Sequence, residues 1–237
     1  MVLTCLDSGS KGNCYALESD SGEILLLDVG IPINQIKQGI GFRVSAIVGG
    51  VVTHKHSDHA LSSPKLQNMG VPVYKPYEKL NKDLTLGGFR IQTFDCTDLQ
   101  GNFKHTDSDG TECPIYGFVV HHKELKYPLL YATDTCFIKY RFKNLGTVIL
   151  GVDYQQNLLD EDSPKAYHQL TGHMSIDTAY DFLAANNNPN LTNVILGHLS
   201  EVNADNEYFI ERLNKIGLIN LQIAHKGMKI KLTDIPF

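Results

Sequence analysis

The stretch Thr53-His54-Lys55-His56-Ser57-Asp58-His59 decides how this chain is read. It begins where an apolar strand, predicted over Ala46–Thr53, comes to its end. Side chains alternate along an extended segment, so His54 and His56 point the same way and can share one metal ion. Asp58 and His59 then turn the other way and can hold a second ion. Imidazole and carboxylate donors together suit Zn²⁺, with Mn²⁺ or Fe²⁺ as alternatives. A solitary histidine in a polar loop would carry no such meaning. Four donors at this spacing, directly after an apolar strand, point to a centre for two divalent ions.

Composition sets the frame for that centre. The chain has 237 residues, of which 42% are hydrophobic, so it can bury a full core and is not disordered. No repeat, linker or shift in composition divides it, and residues 1–237 read as one domain. No apolar run approaches the ~18 residues of a membrane span. The opening Met1-Val2-Leu3-Thr4-Cys5-Leu6-Asp7 has no basic region ahead of an apolar one, so no secretory signal is expected. The five cysteines (Cys5, Cys14, Cys96, Cys113, Cys136) are scattered without a Cys-x-x-Cys pair. They read as free thiols in a reducing, cytoplasmic setting. A net charge of −5 argues against a protein that coats nucleic acid through bulk positive charge.

Outward from the histidine stretch, strands and helices intersperse without strict alternation. Strands are predicted at Val2–Leu6, Cys14–Glu18, Glu23–Asp28, Val71–Tyr74, Phe89–Phe94, Ile115–His121, Leu129–Thr133, Val148–Val152, Val194–Leu196, Leu221–Ala224 and Met228–Leu232. Leu25-Leu26-Leu27 is apolar without interruption, as expected of a strand covered on both faces. Helices are predicted at Ile33–Ile40, Ser62–Met69, Ser175–Ala185 and Ala204–Ile216, the last capped by Asn203 and stopped by Gly217. The expectation is one mixed α/β domain with two sheets and helices outside.

The histidine stretch resembles that of the metallo-β-lactamase superfamily, whose members keep His-x-His-x-Asp-His at the end of a strand. Ser8-Gly9-Ser10-Lys11-Gly12-Asn13-Cys14 and Leu26-Leu27-Asp28-Val29-Gly30 are similar to the opening strands of the branch that holds tRNase Z and the YycJ/WalJ-type exonucleases. The resemblance extends over nearly the whole chain. It implies an αββα four-layer sandwich, two metal ions with zinc foremost, and Asp28 orienting the histidine loop from behind the ligands. It also implies a third histidine after the next long strand. His105 fits that place, although Ser108–Glu112 lengthens its loop, and His121 and His122 compete for it. Beside Lys123 and Glu124, however, that pair reads as a solvated turn.

Asp134 ends the apolar strand Leu129–Thr133, where an ionised carboxylate is costly unless paired or metal-bound. It matches the family's metal-bridging aspartate. His198, in Gly197-His198-Leu199-Ser200, matches the last metal-ligating histidine. His173 precedes a helix N-terminus, a setting that favours phosphate, and resembles the histidine of the tRNase Z branch that protonates the leaving group. His225 sits where relatives carry a polar residue, which makes it, with Asp58 and His173, a candidate for a catalytic role at the substrate. His168 reads as surface or helix capping.

Two ions ~3.5–4 Å apart activate a shared water and clamp a phosphate for in-line displacement. Asp58 is then expected to orient the nucleophile. The implied activity is phosphodiester hydrolysis, foremost by a 5′→3′ exonuclease acting on nucleic acid. The alternatives are a phosphodiesterase for cyclic nucleotides or other small substrates, and a thioesterase or lactonase. Lys139-Tyr140-Arg141-Phe142-Lys143 is a candidate track for a nucleic-acid backbone, or else an amphipathic helix with a solvated cationic face. By analogy with relatives, a homodimer is expected.

Overall fold

The computed structural model describes residues 1–107, 109–160 and 166–232, and the side chains of residues 166–168 lie outside that description. The apolar runs assemble into two sheets. The first is built from β1 (Val2–Asp7), β2 (Cys14–Glu18), β3 (Ile24–Leu27), β4 (Ile47–Val51), β5 (Val73–Tyr74) and β13 (Lys229–Lys231), in spatial order β13-β1-β2-β3-β4-β5. The second contains β6 (Asp83–Leu86), β7 (Phe89–Asp95), β8 (Tyr116–His121), β9 (Leu129–Ala132), β10 (Thr147–Gly151), β11 (Asn193–Gly197) and β12 (Leu221–Ile223). Its order is β12-β11-β10-β9-β8-β7-β6.

The leucine run of β3 shows why the architecture is layered. All four side chains of Ile24–Leu27 are fully buried, and the pleat sends them to opposite faces. Leu25 and Leu27 enter the core between the sheets, with Val51, Phe118, Tyr131, Ile149 and Ile195. Ile24 and Leu26 pack outward, where Ile36 of α1 (Ile33–Gly39) and, beyond the short α2 (Ser57–Ala60), Leu66 of α3 (Ser63–Asn68) cover them. On the second sheet, Leu130, Val148, Leu150 and Leu196 face Leu183 of α5 (Ile176–Asn186) and Phe209 of α6 (Asn206–Asn214). The layers are therefore helix, sheet, sheet, helix, the αββα sandwich that the resemblance implied.

Strand direction fixes where a site can form. β3, β4 and β5 run parallel, as do β9, β10, β11 and β12. Ligand sites in such sheets lie beyond the carboxyl ends of the strands. Asp28, Thr53, Asp134, Asp153 and His198 all lie just past such ends.

Several expectations change on inspection. β6, whose residues are alternately exposed and half-buried, forms an edge strand that the apolar pattern did not reveal. Helix α4 (Ala166–Gly172) was likewise not expected, and the side chain of His168 within it lies outside the description. Asp205, not Asn203, caps α6, because its Oδ1 accepts from the N–H groups of Glu207 and Tyr208. The Asn203 amide is instead committed to Gln169.

Lys139–Lys143 is not a helix. Phe142 is held against Phe94 and Phe182, and both Lys139 and Tyr140 bind the Asp95 carboxylate at 2.7 Å. All five cysteines are free. Among the described residues, no helix is long and apolar enough to cross a membrane.

Leu27 lies wholly within the core between the sheets. Leu27→Ala is expected to lower stability by about 3 kcal/mol through the cavity it leaves. The check is the shift in the urea midpoint at constant m-value.

Candidate metal centre

Three of the strand-end residues have left-handed backbones: Asp28 (φ 54°), Asp134 (φ 54°) and His198 (φ 56°). Side chains other than glycine rarely adopt this region, and where they do it clusters at functional sites. Here it turns each side chain back over the end of its own strand. Gly30 serves the same end differently. A Cβ at position 30 would sit 1.7 Å from the Asp58 carbonyl oxygen, so only glycine lets the histidine loop seat on the β3 turn.

The buried Asp28 carboxylate organises that loop. It accepts from the Thr53 N–H at 2.8 Å, the Thr53 hydroxyl at 3.1 Å, the Tyr131 hydroxyl at 2.5 Å and His59 Nδ1 at 2.7 Å. Donation from Nδ1 leaves His59 Nε2 as the acceptor of the ring, with the Asn13 amide 3.1 Å from it. Thr53 extends the same logic to His54. Its only hydroxyl hydrogen goes to Asp28, so its oxygen accepts from His54 Nδ1 at 3.1 Å and leaves His54 Nε2 as the outward lone pair. One carboxylate thus sets the tautomer of two histidines, as expected of a carboxylate placed behind metal ligands.

The donors fall into two groups, in each of which the candidate ligand atoms lie within 4.8 Å of one another. His54, His56 and His105 form the first, with His56 Nδ1 and His105 Nε2 3.0 Å apart. Asp58, His59, Asp134 and His198 form the second. Asp134 Oδ2 lies 2.7 Å from His59 Nε2 and 3.6 Å from His54 Nε2, which places this carboxylate between the groups.

His54 Nε2 and both ring nitrogens of His198 are buried without a hydrogen-bond partner. Such atoms are costly unless something else satisfies them. Five imidazoles and two carboxylates converging in this way fit a pair of divalent cations.

The electrostatics agree. Burial pushes the His54 pKa well below its ordinary value, so His54 is neutral and ready to bind. Burial also opposes charge on His198, but Asp134, Asp153 and Asp58 outweigh it and raise His198 to about 10. For Asp58, burial works upward, yet the imidazoles of His198 and His59, with Nε2 atoms 3.8 and 3.3 Å from Oδ2, hold it well below the carboxylate range. Asp134 is likewise lowered, by His198 and His59 against burial.

The structure thus gathers His54, His56, Asp58, His59, His105, Asp134 and His198, with Asp28 behind them. His173 joins the rim of this cluster. Its Nδ1 lies 3.7 Å from Asp134 Oδ1, and its ring stacks on His198 at 5.5 Å.

His225 is not brought in. It is exposed between β12 and β13, with Nδ1 3.3 Å from the Ile223 carbonyl. His122 is not in a solvated turn. Its ring is buried on Phe89, and its Nδ1 accepts from the Glu124 N–H. His121 is half-buried and bound to Gln92.

Two further acids belong to the site. Asp107 Oδ1 lies 2.9 Å from His56 Nε2, and its other oxygen is held by Lys55. Asp153 lies 3.7 Å from His198 Nδ1 and groups with His173 and His198. A sequence signal existed for both. Asp107 repeats the period-two spacing of His54 and His56, and Asp153 follows its apolar strand as Asp134 does.

Comparison with known proteins bears on this geometry. The model of the metallo-beta-lactamase superfamily matches residues 8–149. A search of curated proteins finds no match. Among solved structures, the metallo-beta-lactamase fold protein YhfI from Bacillus subtilis superposes with a TM-score of 0.72. The two are 15% identical, and the match covers 97% of this chain and 99% of that one. The short form of human tRNase Z gives a TM-score of 0.62 at 14% identity, covering 98% and 100%. Unliganded yeast PDE1 gives 0.63 at 12%, covering 96% and 98%. At these identities, the solved structures speak for the fold.

Asp28→Asn is expected to weaken zinc binding 10- to 100-fold, read by competition with a chromogenic chelator. Because His198 carries a proton below about pH 10, zinc binding at pH 7 should release protons and tighten as pH rises. Calorimetry in buffers of different ionisation enthalpy measures this, and buffer-independent heats would contradict it.

Proposed function

The chain belongs to the metallo-β-lactamase superfamily, and on that premise we propose that it hydrolyses phosphodiester bonds. It is a metal-dependent hydrolase by family. His173 carries the finer reading. This histidine lies outside the two donor groups, yet it stands beside Asp134 and His198 at the rim of the cluster. It also stands just ahead of Ser175, the N-cap of α5, where negative charge is favoured.

In this reading His54, His56 and His105 would hold one divalent ion and Asp58, His59 and His198 the other, with Asp134 standing between the two donor groups. Bound there, the ions would supply Lewis-acid polarisation of the phosphoryl group and a nucleophile at neutral pH. The Asp58 carboxylate, fixed by His59 and His198, accepts a hydrogen bond from the attacking water and aims it in line. The His173 ring gives its proton to the leaving oxygen as the phosphorus–oxygen bond breaks. Asp28 and Asp107 hold ligand rings in place.

The substrate in the first reading is a nucleic-acid end, supported by likeness to the tRNase Z and YycJ/WalJ branch. One observation favours a small substrate such as a cyclic nucleotide. Lys11, Lys55, Lys139 and Lys226 are paired with Glu201, Asp107, Asp95 and Asp7. Cations so neutralised give a nucleic-acid backbone little to follow.

Turnover of bis(p-nitrophenyl) phosphate by the zinc-loaded protein tests the reaction, and Asp58→Ala should abolish it. Full activity in that variant sinks the scheme. His173→Ala should cost about 10²–10⁴-fold on a diester with an alkoxide leaving group and far less on the aryl ester, which leaves without a proton. Parallel assays of 5′-labelled single-stranded DNA and a cyclic-nucleotide panel separate the two substrate classes.

A further inference from the structure

Phe42, just past α1, is 69% exposed and holds a left-handed backbone (φ 60°), directly after Gly41 (φ 64°). A bulky side chain rarely adopts that region, and where it does the strain calls for a use. Packing supplies none, because Phe42 joins none of the hydrophobic clusters of the described residues. The turn is nevertheless fixed. Its N–H donates to the Lys37 carbonyl at 2.6 Å, and its carbonyl accepts from the Val44 N–H at 2.9 Å. An aromatic ring is thus presented to solvent on a held backbone.

The surface beside it is basic. Ile230 of β13 faces the core between the sheets, so Lys229 and Lys231 project from the outer face of the first sheet, and both are exposed. Glu18 faces outward too, since Tyr15 and Leu17 of β2 face the core. Register sets Lys231 opposite Val2, and Val2 opposite Glu18. Arg43 grips both Glu18 oxygens at 2.6 and 2.7 Å, which carries the row from β13 across β1 and β2 to the neighbour of Phe42. Before β13, Lys226 reaches Asp7 at 3.0 Å and Gln35 of α1 at 3.2 Å. Asp7 leads into the loop whose Asn13 N–H binds the Asp58 carbonyl, so this face begins beside the metal centre.

Lys226, Lys229, Lys231 and Arg43 outnumber Asp7 and Glu18 by two positive charges, on a chain whose net charge is −5. Asp20, at the far end, is bound by the Met1 amino group. Lys229 and Lys231 have no ion-pair partner among the described residues, unlike Lys11, Lys55 and Lys139. Lysines on an edge strand also guard against pairing with another sheet, but a strained, exposed ring at the end of their row has no part in that. Cations followed by an aromatic ring suit a flexible chain of phosphates with unpaired bases.

We propose that this face, from Lys226 along β13 to Phe42, binds single-stranded nucleic acid. Lys229 and Lys231 meet backbone phosphates, and the Phe42 ring stacks on an unpaired base. The inference rests on the phosphodiester reading for its place in catalysis and names single strands as the substrate class. The grip lies on the outer face of the first sheet, away from the paired lysines around the metal centre.

The test is fluorescence anisotropy of a labelled, phosphorothioate-linked oligothymidylate of about 12 nucleotides, titrated with the zinc-loaded protein at low salt. Single strands should bind at least about tenfold more tightly than the same length of duplex, whose bases are not free to stack. Lys229→Glu with Lys231→Glu should weaken binding and reduce the slope of log K against log salt by about 1.4. Phe42→Gly should weaken binding about fivefold or more. The same substitution should raise the thermal midpoint, because glycine relieves the left-handed strain. Zinc affinity, read by chelator competition, should not change in either variant.

The proposal is overturned if the wild type does not bind the oligonucleotide, or if Phe42→Gly binds it as tightly. It is also overturned if polyglutamate displaces the oligonucleotide at equal charge, which would assign the face to an acidic peptide. If the oligonucleotide binds as expected but no diester is cleaved, the hydrolytic reading fails and the binding face stands. If diesters are cleaved without such binding, the reverse holds.

Discussion

A carboxylate buried at 0% exposure is tolerated only when its oxygens are fully occupied, and Asp28 meets that demand by recruiting both sheets. The donors from Thr53 and His59 follow β4 of the first sheet, whereas the Tyr131 hydroxyl comes from β9 of the second. The same bonds that make Asp28 acceptable also lock His54 and His59 into the tautomers a cation needs. The need to satisfy one charge therefore fixes sheet registry, loop conformation and ligand basicity together. This explains why the apolar β3, which otherwise serves only the core, ends in Asp-Val-Gly.

The strain at the site has a matching source of support. Asp28, Asp134 and His198 hold unfavourable left-handed backbones where fully buried parallel strands end. Such conformations persist only when their surroundings over-determine them. The strands beneath are rigid because both faces are packed. The centre is thus built on the most constrained part of the chain, and its ligands need little rearrangement to converge.

The sequence made most of this legible where the information was local. The histidine loop is contiguous, so its spacing alone paired His54 with His56 and Asp58 with His59. Asp134 and His198 could be read because each interrupts an apolar strand end. Groups defined by distant partners were harder to see. Asp107 matters through His56, 51 residues away along the chain. His122 looked solvated beside Lys123 and Glu124, and only tertiary packing puts Phe89 over it. Lys139 reads as a free cation in the sequence, because its partner Asp95 lies far away along the chain. The edge strand β6 and the cap of α6 were missed because edge strands have weak apolar patterns and because two acceptors competed for one helix start.

Gly30 has a consequence best put in genetic terms. Its N–H goes to the Asn13 carbonyl and it has no side chain to offer a metal, yet the loop that carries Asp58 and His59 rests directly on its missing side chain. A replacement there would leave every ligand spelled correctly in the gene while displacing the loop that presents them. An allele of this kind would behave as a metal-site null and would be catalogued, from the sequence alone, as a turn variant.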